Sequence, residues 1–223
     1  MSDTHRVDWN AKRGWAAAEH DARSARGLTE GEREDFRLAG IAGASWAEGL
    51  AALMLGERGE AEDLLRLAAD EYRASWAAAP TASWGRPIAA MRCRLLAGDA
   101  AGLESDAEAT LAAGAATAAG PIAGYATALA LLALRRDGEA IPVARGLQGR
   151  DDFVAPVADA LAALASGDDA AYADAAAAVL QSFEEREAFL EDIPVADTVL
   201  VLDALAASRW IAAANAPSAL LPP

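Results

Sequence analysis

Trp76, Trp84 and Arg86 cluster around the loop Pro80-Thr-Ala-Ser-Trp-Gly-Arg-Pro, and Trp46 lies on the helix expected to pair with this region. Indole rings and guanidinium groups dominate binding hot spots, and an arginine clamps a carboxylate through two parallel hydrogen bonds. The chemistry these residues suggest is recognition, not bond making. In a core built from alanine the same tryptophans also fill gaps between closely packed helices, so packing competes with recognition for them.

Other reactive side chains are few or poorly spaced. His5 and His20 are the two histidines, with Asp8, Glu19 and Asp21 nearby. Metal ligands on one helix face recur every three or four residues, and these histidines are fifteen apart. Cys93 is the single cysteine, so neither an intramolecular disulfide nor a thiolate cluster can form. Met91, Leu95 and Leu96 predict that its thiol is buried, although Arg92 and Arg94 flank it in a way that can activate one. No Gly-x-Ser-x-Gly elbow is present. Paired acids at Asp151-Asp152, Asp168-Asp169 and Glu184-Glu185 read as solvated surface, not as a glycosidase-like pair. Asp197 and Asp203 differ because each interrupts an apolar helix; a capping role or an arginine partner suits Asp197. Phosphate loops, dinucleotide fingerprints, calcium loops and zinc spacings are absent from the sequence. The expectation is a non-enzymatic protein with no catalytic residue, no metal and no cofactor.

Charge narrows the partners. Lysine and arginine number 19 against 34 acids, giving −15, and Lys12 is the only lysine. Nucleic-acid affinity comes largely from cations that displace phosphate counterions. The densest basic run, Arg86 to Arg94, holds three arginines and cannot track a backbone, so no nucleic acid is expected. A protein or peptide partner fits better, a basic one if overall charge steers it. The alanine-rich stretches break before membrane-spanning length, and the first residues lack a signal peptide's apolar core. We therefore expect no membrane contact and a cytoplasmic location. Abundant arginine suits a GC-rich genome, and excess acid suits a high-salt cytoplasm that screens self-repulsion. A halophilic protein is the expectation.

Alanine is the strongest helix former, and no segment shows sustained strand alternation, so the class is all-α. An amphipathic helix is predicted over 5–26. Thr29-Glu-Gly-Glu reads as a capping box that starts a second helix, which ends around Gly56–Gly59. A third runs through Leu65, Tyr72 and Trp76 and stops before Pro80. Pro87 suits the first turn of the next, which runs to about 97. Further helices are predicted over 100–116, from Gly120-Pro121 onward, over 139–147 with Pro142 in its first turns, from Asp151 to Ser166, and over 168–191. Pro194 precedes a last helix at 195–213 and an extended Leu-Leu-Pro-Pro tail. One domain over 1–223 is expected: the N-terminal helix, a hairpin stack over 29–191 and a C-terminal capping helix.

A Gly-acid step recurs between these helices at Gly59-Glu60, Gly98-Asp99, Gly138-Glu139 and Gly167-Asp168. Glycine permits the positive φ that ends one helix, and the acid then meets the positive end of the next. These steps resemble the inter-helix turn of tetratricopeptide-like repeats. The resemblance covers about 35–190 and implies antiparallel hairpins stacked in a right-handed superhelix. The sequence departs from that family in its longer, uneven spacing, and three of the four turns lack the aromatic after the acid. The C-terminal third, with Phe183-Glu-Glu-Arg-Glu, Ile193-Pro-Val-Ala-Asp and a terminal Leu-Leu-Pro, resembles all-α bacterial toxin-immunity proteins and uncharacterised haloarchaeal proteins.

The first resemblance implies a protein-interaction scaffold that takes a partner in a concave groove, with Trp46, Trp76, Trp84 and Arg86 as its contacts. The second implies an immunity protein that neutralises a cognate toxin. A third expectation is a helical enzyme or small-ligand binder at Trp84 and Arg86; a deep pocket with an inward-facing acid would favour it. A homodimer through the apolar C-terminal helix, with Arg209 and Trp210 at its edge, is expected as well.

Overall fold

The computed structural model describes residues 7–212 and 216–223; His5 lies outside them. Among the described residues there is no strand. The helices are α1 (Trp9–Ala25), α2 (Glu34–Met54), α3 (Arg58–Ala78), α4 (Gly85–Leu96), α5 (Ala100–Ala112), α6 (Pro121–Ala133), α7 (Asp137–Arg145), α8 (Ala155–Ser166), α9 (Asp169–Glu184) and α10 (Asp197–Ala207). Short 3-10 turns lie at Ala115–Thr117 and Leu190–Asp192. No helix is long and apolar enough to cross a membrane.

Four hairpins, α2/α3, α4/α5, α6/α7 and α8/α9, are closed by one repeated device. A left-handed residue stands at Gly56, Gly98, Arg135 and Gly167, with φ of 77°, 63°, 58° and 68°. The next residue's N–H then reaches back to a carbonyl five residues earlier: Glu57 to Ala52, Asp99 to Arg94, Arg136 to Leu131 and Asp168 to Ala163. This is the Schellman motif, which satisfies carbonyls a helix end would leave orphaned. Turns this short force consecutive helices to run antiparallel. Of the four glycines read from the sequence, Gly98 and Gly167 occupy this position. Gly59 and Gly138 instead lie in the first turns of α3 and α7, and Gly56 and Arg135 do the turning. Asp99 and Asp168 cap α5 and α9 by accepting from the N–H groups of Gly102 and Ala171, each at 3.0 Å.

Each helix packs on the next in chain order, and α4, α6 and α8 also touch in series. Small residues set the closest approach. A Cβ at Gly49 of α2 would meet Leu65 Cγ of α3 at 2.8 Å. The core runs through Leu50, Leu65, Met91, Leu129, Leu132, Leu161 and Leu164, all fully buried. Across α4, α8 and α9 lies α10. Its Val199, Val201, Leu202 and Leu205 are buried within the chain, while Trp210 beyond its end stays 94% exposed. The tail turns back, and Leu220 accepts a hydrogen bond from the Ala196 N–H.

Several predicted boundaries move. Thr29 does bond to Glu32, through its N–H at 3.1 Å and its hydroxyl at 2.9 Å, but this box closes a turn and α2 starts only at Glu34. Asp151 and Asp152 lie in a turn, and α8 starts at Ala155 with Pro156 in its first turn. Pro142 lies inside α7, which ends at Arg145. The helix expected over 168–191 stops at Glu184. Beyond it, Glu191 and Asp192 adopt φ of 49° and 55° and are met by Arg23 and Lys12 of α1. Long-range charge pairs here override local helix propensity.

Candidate functional site

The loop joining α3 to α4 holds its own shape. The Ser83 hydroxyl donates to the Pro80 carbonyl at 2.8 Å, and the Trp84 N–H to the Ala82 carbonyl at 2.9 Å. Ala82 sits at φ 69°, a left-handed conformation costing an alanine about 1 kcal/mol. Strain of this kind persists only where surroundings over-determine it, and it concentrates at functional loops. Trp84 points inward and keeps 7% of its surface exposed. Arg86 enters the first turn of α4, with its backbone N–H on the Ser83 carbonyl at 3.1 Å.

Beneath this loop lies the start of α2. Asp35 is buried at 3% exposure, and both its carboxylate oxygens accept from Arg33, each at 2.9 Å. The buried Ser75 hydroxyl donates to the Asp35 carbonyl at 2.7 Å, tying α3 to this end of α2. Arg86 comes second to that carboxylate, at 3.8 Å, too far for a hydrogen bond. Its Nε is buried without a partner. Arg33 and Arg86 instead flank the ring of Phe36, at 4.9 and 5.3 Å from its centroid. Phe36 is 58% exposed. Arg86 also lines a shallow depression of about 290 Å³, together with Ala82, Ser83, Trp84, Gly85 and Ile122. Ile122, at the start of α6, is 48% exposed. Phe36, Arg86 and Ile122 thus form one continuous surface of apolar groups around a cation.

Trp46 stands apart from this surface. Trp46 is 8% exposed and eleven residues beyond Asp35, about 16 Å along α2. Trp76 packs partly buried against the same core. Phe36 falls on the apolar positions of the second helix in the sequence, but nothing in the local pattern assigns it, Arg33 or Asp35 to a site. The acid-rich stretch around them reads as ordinary solvated surface, and only the packing of α3 and α4 brings the loop above it.

Polar groups elsewhere serve structure. Arg92 pairs with Asp197 and lies 3.2 Å from the Thr198 hydroxyl, joining α4 to α10. Burial pushes the neighbouring Cys93 thiol up to about 12, so it stays protonated. Arg94 bridges Asp70, Asp99 and Asp106, and Arg73 reaches Asp106 at 3.1 Å. Burial nevertheless raises the pKa of Asp106, because desolvation outweighs both arginines. The Tyr172 hydroxyl donates to Asp203 at 2.7 Å. A larger cavity, of about 390 Å³, lies at the far end of α4 and is lined by Leu53, Arg58, Leu95, Leu200, Asp203 and Pro222 among others. Among the described residues no group of three or more acids, histidines or cysteines is placed to hold a metal. Compared with protein-family models, with curated proteins and with solved structures, the chain finds no match.

Proposed function

We propose that this chain is a non-enzymatic interaction module of the tetratricopeptide-like kind, with its hairpins stacked as a right-handed superhelix. Four hairpins closed by the same Schellman turn, with α4, α6 and α8 touching in series, support that arrangement. In such a stack the first helices of the hairpins line the inner face. Here α10 packs on α4 and α8 and covers part of that face, so the partner is taken at the edge. The observation that carries this reading is the surface of Phe36, Arg86 and Ile122 at the strained loop. A depression of about 290 Å³ lies at the lower bound for small-molecule pockets and suits one inserted side chain better than a cofactor.

The test is a photo-crosslinker placed at Phe36, in the full-length protein, exposed to lysate at the native salt concentration. A single dominant adduct that disappears in a folded Trp84→Ala/Arg86→Ala variant supports the reading and identifies the partner. Equal labelling of many proteins, or an adduct indifferent to the double substitution, removes it.

A further inference from the structure

Resting on that reading, we infer that the loop surface selects a polypeptide segment in which a carboxylate adjoins a bulky apolar side chain. The whole-chain charge of −15 draws basic partners at long range. The contact surface asks for the opposite charge, because of how the two arginines divide one acid. Arg33 takes both oxygens of Asp35 at 2.9 Å, and that carboxylate also lies almost wholly buried. Arg86 reaches only 3.8 Å from it, and among the described residues its side chain makes no hydrogen bond. A half-buried guanidinium in this state retains donors in a planar fork that matches an incoming carboxylate.

Other arginines of this corner are already engaged. Arg26 bonds to Glu32 at 2.7 Å, and Arg37 bonds to Glu34 at 2.7 and 2.8 Å. Arg86 pairs with Asp35 only at 3.8 Å and without a hydrogen bond, so it keeps donors for an incoming group, and it borders two apolar surfaces. Phe36 and the depression beside Trp84 and Ile122 give neighbouring side chains a place to bury. Displacing water from these walls strengthens the charge pair by lowering the local dielectric. A lysine-bearing segment would set an ammonium against Arg86 and Arg33 with Asp35 already occupied. That juxtaposition is repulsive, and repulsion of this kind is how such a surface rejects wrong partners.

The experiment selects a display library of random peptides against the immobilised full-length protein. Selected peptides are then remade with Asp and Glu replaced by Asn and Gln, and binding is measured by fluorescence anisotropy. We expect enrichment of an acid beside an aromatic or aliphatic residue, with loss of about tenfold or more in affinity for the amide versions. Arg86→Gln should abolish the difference between the acidic and amide peptides while leaving the melting temperature near wild type. Arg86→Lys should restore part of it, since a point charge lacks the fork. Phe36→Ala should weaken both peptides alike. Selection of basic peptides, or equal binding of acid and amide versions, overturns the carboxylate preference but leaves the loop as a binding surface if Phe36→Ala still weakens them. Peptides indifferent to both Phe36→Ala and Arg86→Gln, or no enrichment at all, overturn the inference and the loop reading together.

Discussion

Helix α1 has 17 residues and buries one of them, Ala16, whereas α10 has 11 and buries six. Both flank the hairpins, and they attach by different means. Charge holds α1. Arg23 forks onto Glu191 at 2.9 Å through two nitrogens and donates to the Gly40 carbonyl at 2.7 Å. Lys12 meets Asp192, Arg13 meets Glu57, and His20 lies 2.8 Å from Glu71, which also accepts from the Ser45 hydroxyl. Apolar burial holds α10, with Val199, Val201, Leu202 and Leu205 each at 1% exposure or less. A buried leucine or valine contributes roughly 1.5–3 kcal/mol, and a solvent-facing ion pair about 0.2–1 kcal/mol. The two helices should therefore differ in salt response and in local opening.

Cutting into α10 has the largest expected effect. Leu202→Ala should cost about 2–5 kcal/mol, seen as a lower midpoint in chemical denaturation of the whole chain. Loss of α10 signals with the other helices still folded would show that α10 is not part of the cooperative unit. Next comes Asp197→Ala, which strands the Arg92 guanidinium. The usual cost of breaking a buried pair, about 3–5 kcal/mol, falls here to about 2 kcal/mol because Arg92 keeps 24% of its side chain exposed. The paired replacement Arg92→Met/Asp197→Leu should recover most of that loss, since apolar side chains of similar volume need no desolvation compensation. If the double variant is as weak as the single one, the pair contributes something beyond charge matching.

At α1 the effects shrink and become local. Arg23→Ala should cost about 1–2 kcal/mol, since Arg23 and Glu191 keep only 24% and 17% of their side chains exposed, and should speed amide exchange along α1. Raising salt to about 1 M in wild type should do the same, because the screening length falls to about 3 Å, while α10 exchange stays unchanged. Salt-insensitive α1 protection would break the contrast.

The smallest effect concerns pH. Burial raises the pKa of Glu48, on the α2 surface facing α1, with His20 and Arg13 opposing and Glu60 and Asp21 adding to the rise. The folded state then binds that proton more tightly than the unfolded chain does. Its contribution is fully present below the ordinary value of 4.5 and fades as pH climbs through the raised folded value. Glu48→Gln should remove that slope and gain about 1 kcal/mol or less at neutral pH, because the side chain is only half-buried. An unchanged pH profile of melting temperature in the variant would remove Glu48 from the balance.

The helical class and most hairpins were legible in the sequence, because alanine content, proline positions and three- and four-residue apolar spacing act locally. The repeated turn was visible too, but its register was not. Gly59 and Gly138 stand in the first turns of the following helices, and the left-handed position falls on Gly56 and, at the third turn, on Arg135. An arginine carries no turn signature. Of the four side chains picked for a site, Trp84 and Arg86 meet at the loop, while Trp46 lies three turns along α2. Phe36 and Arg33, which complete the surface, are separated from the loop by the whole of α3; Phe36 reads locally as one more apolar helix position, and Arg33 carries no pattern of its own.

The Thr29–Glu32 turn and the Asp99 and Asp168 caps follow from neighbours within a few residues in the chain. Such features are set by backbone sterics and capping hydrogen bonds, which sequence encodes directly. The placement of α10 across α4 and α8, the end of α9 at Glu184 and the sharing of Asp35 by Arg33 and Arg86 belong to the tertiary structure. Each depends on groups dozens of residues apart meeting at angstrom distances, and pairing at that range is decided by how the helices pack, not by any local run of residues.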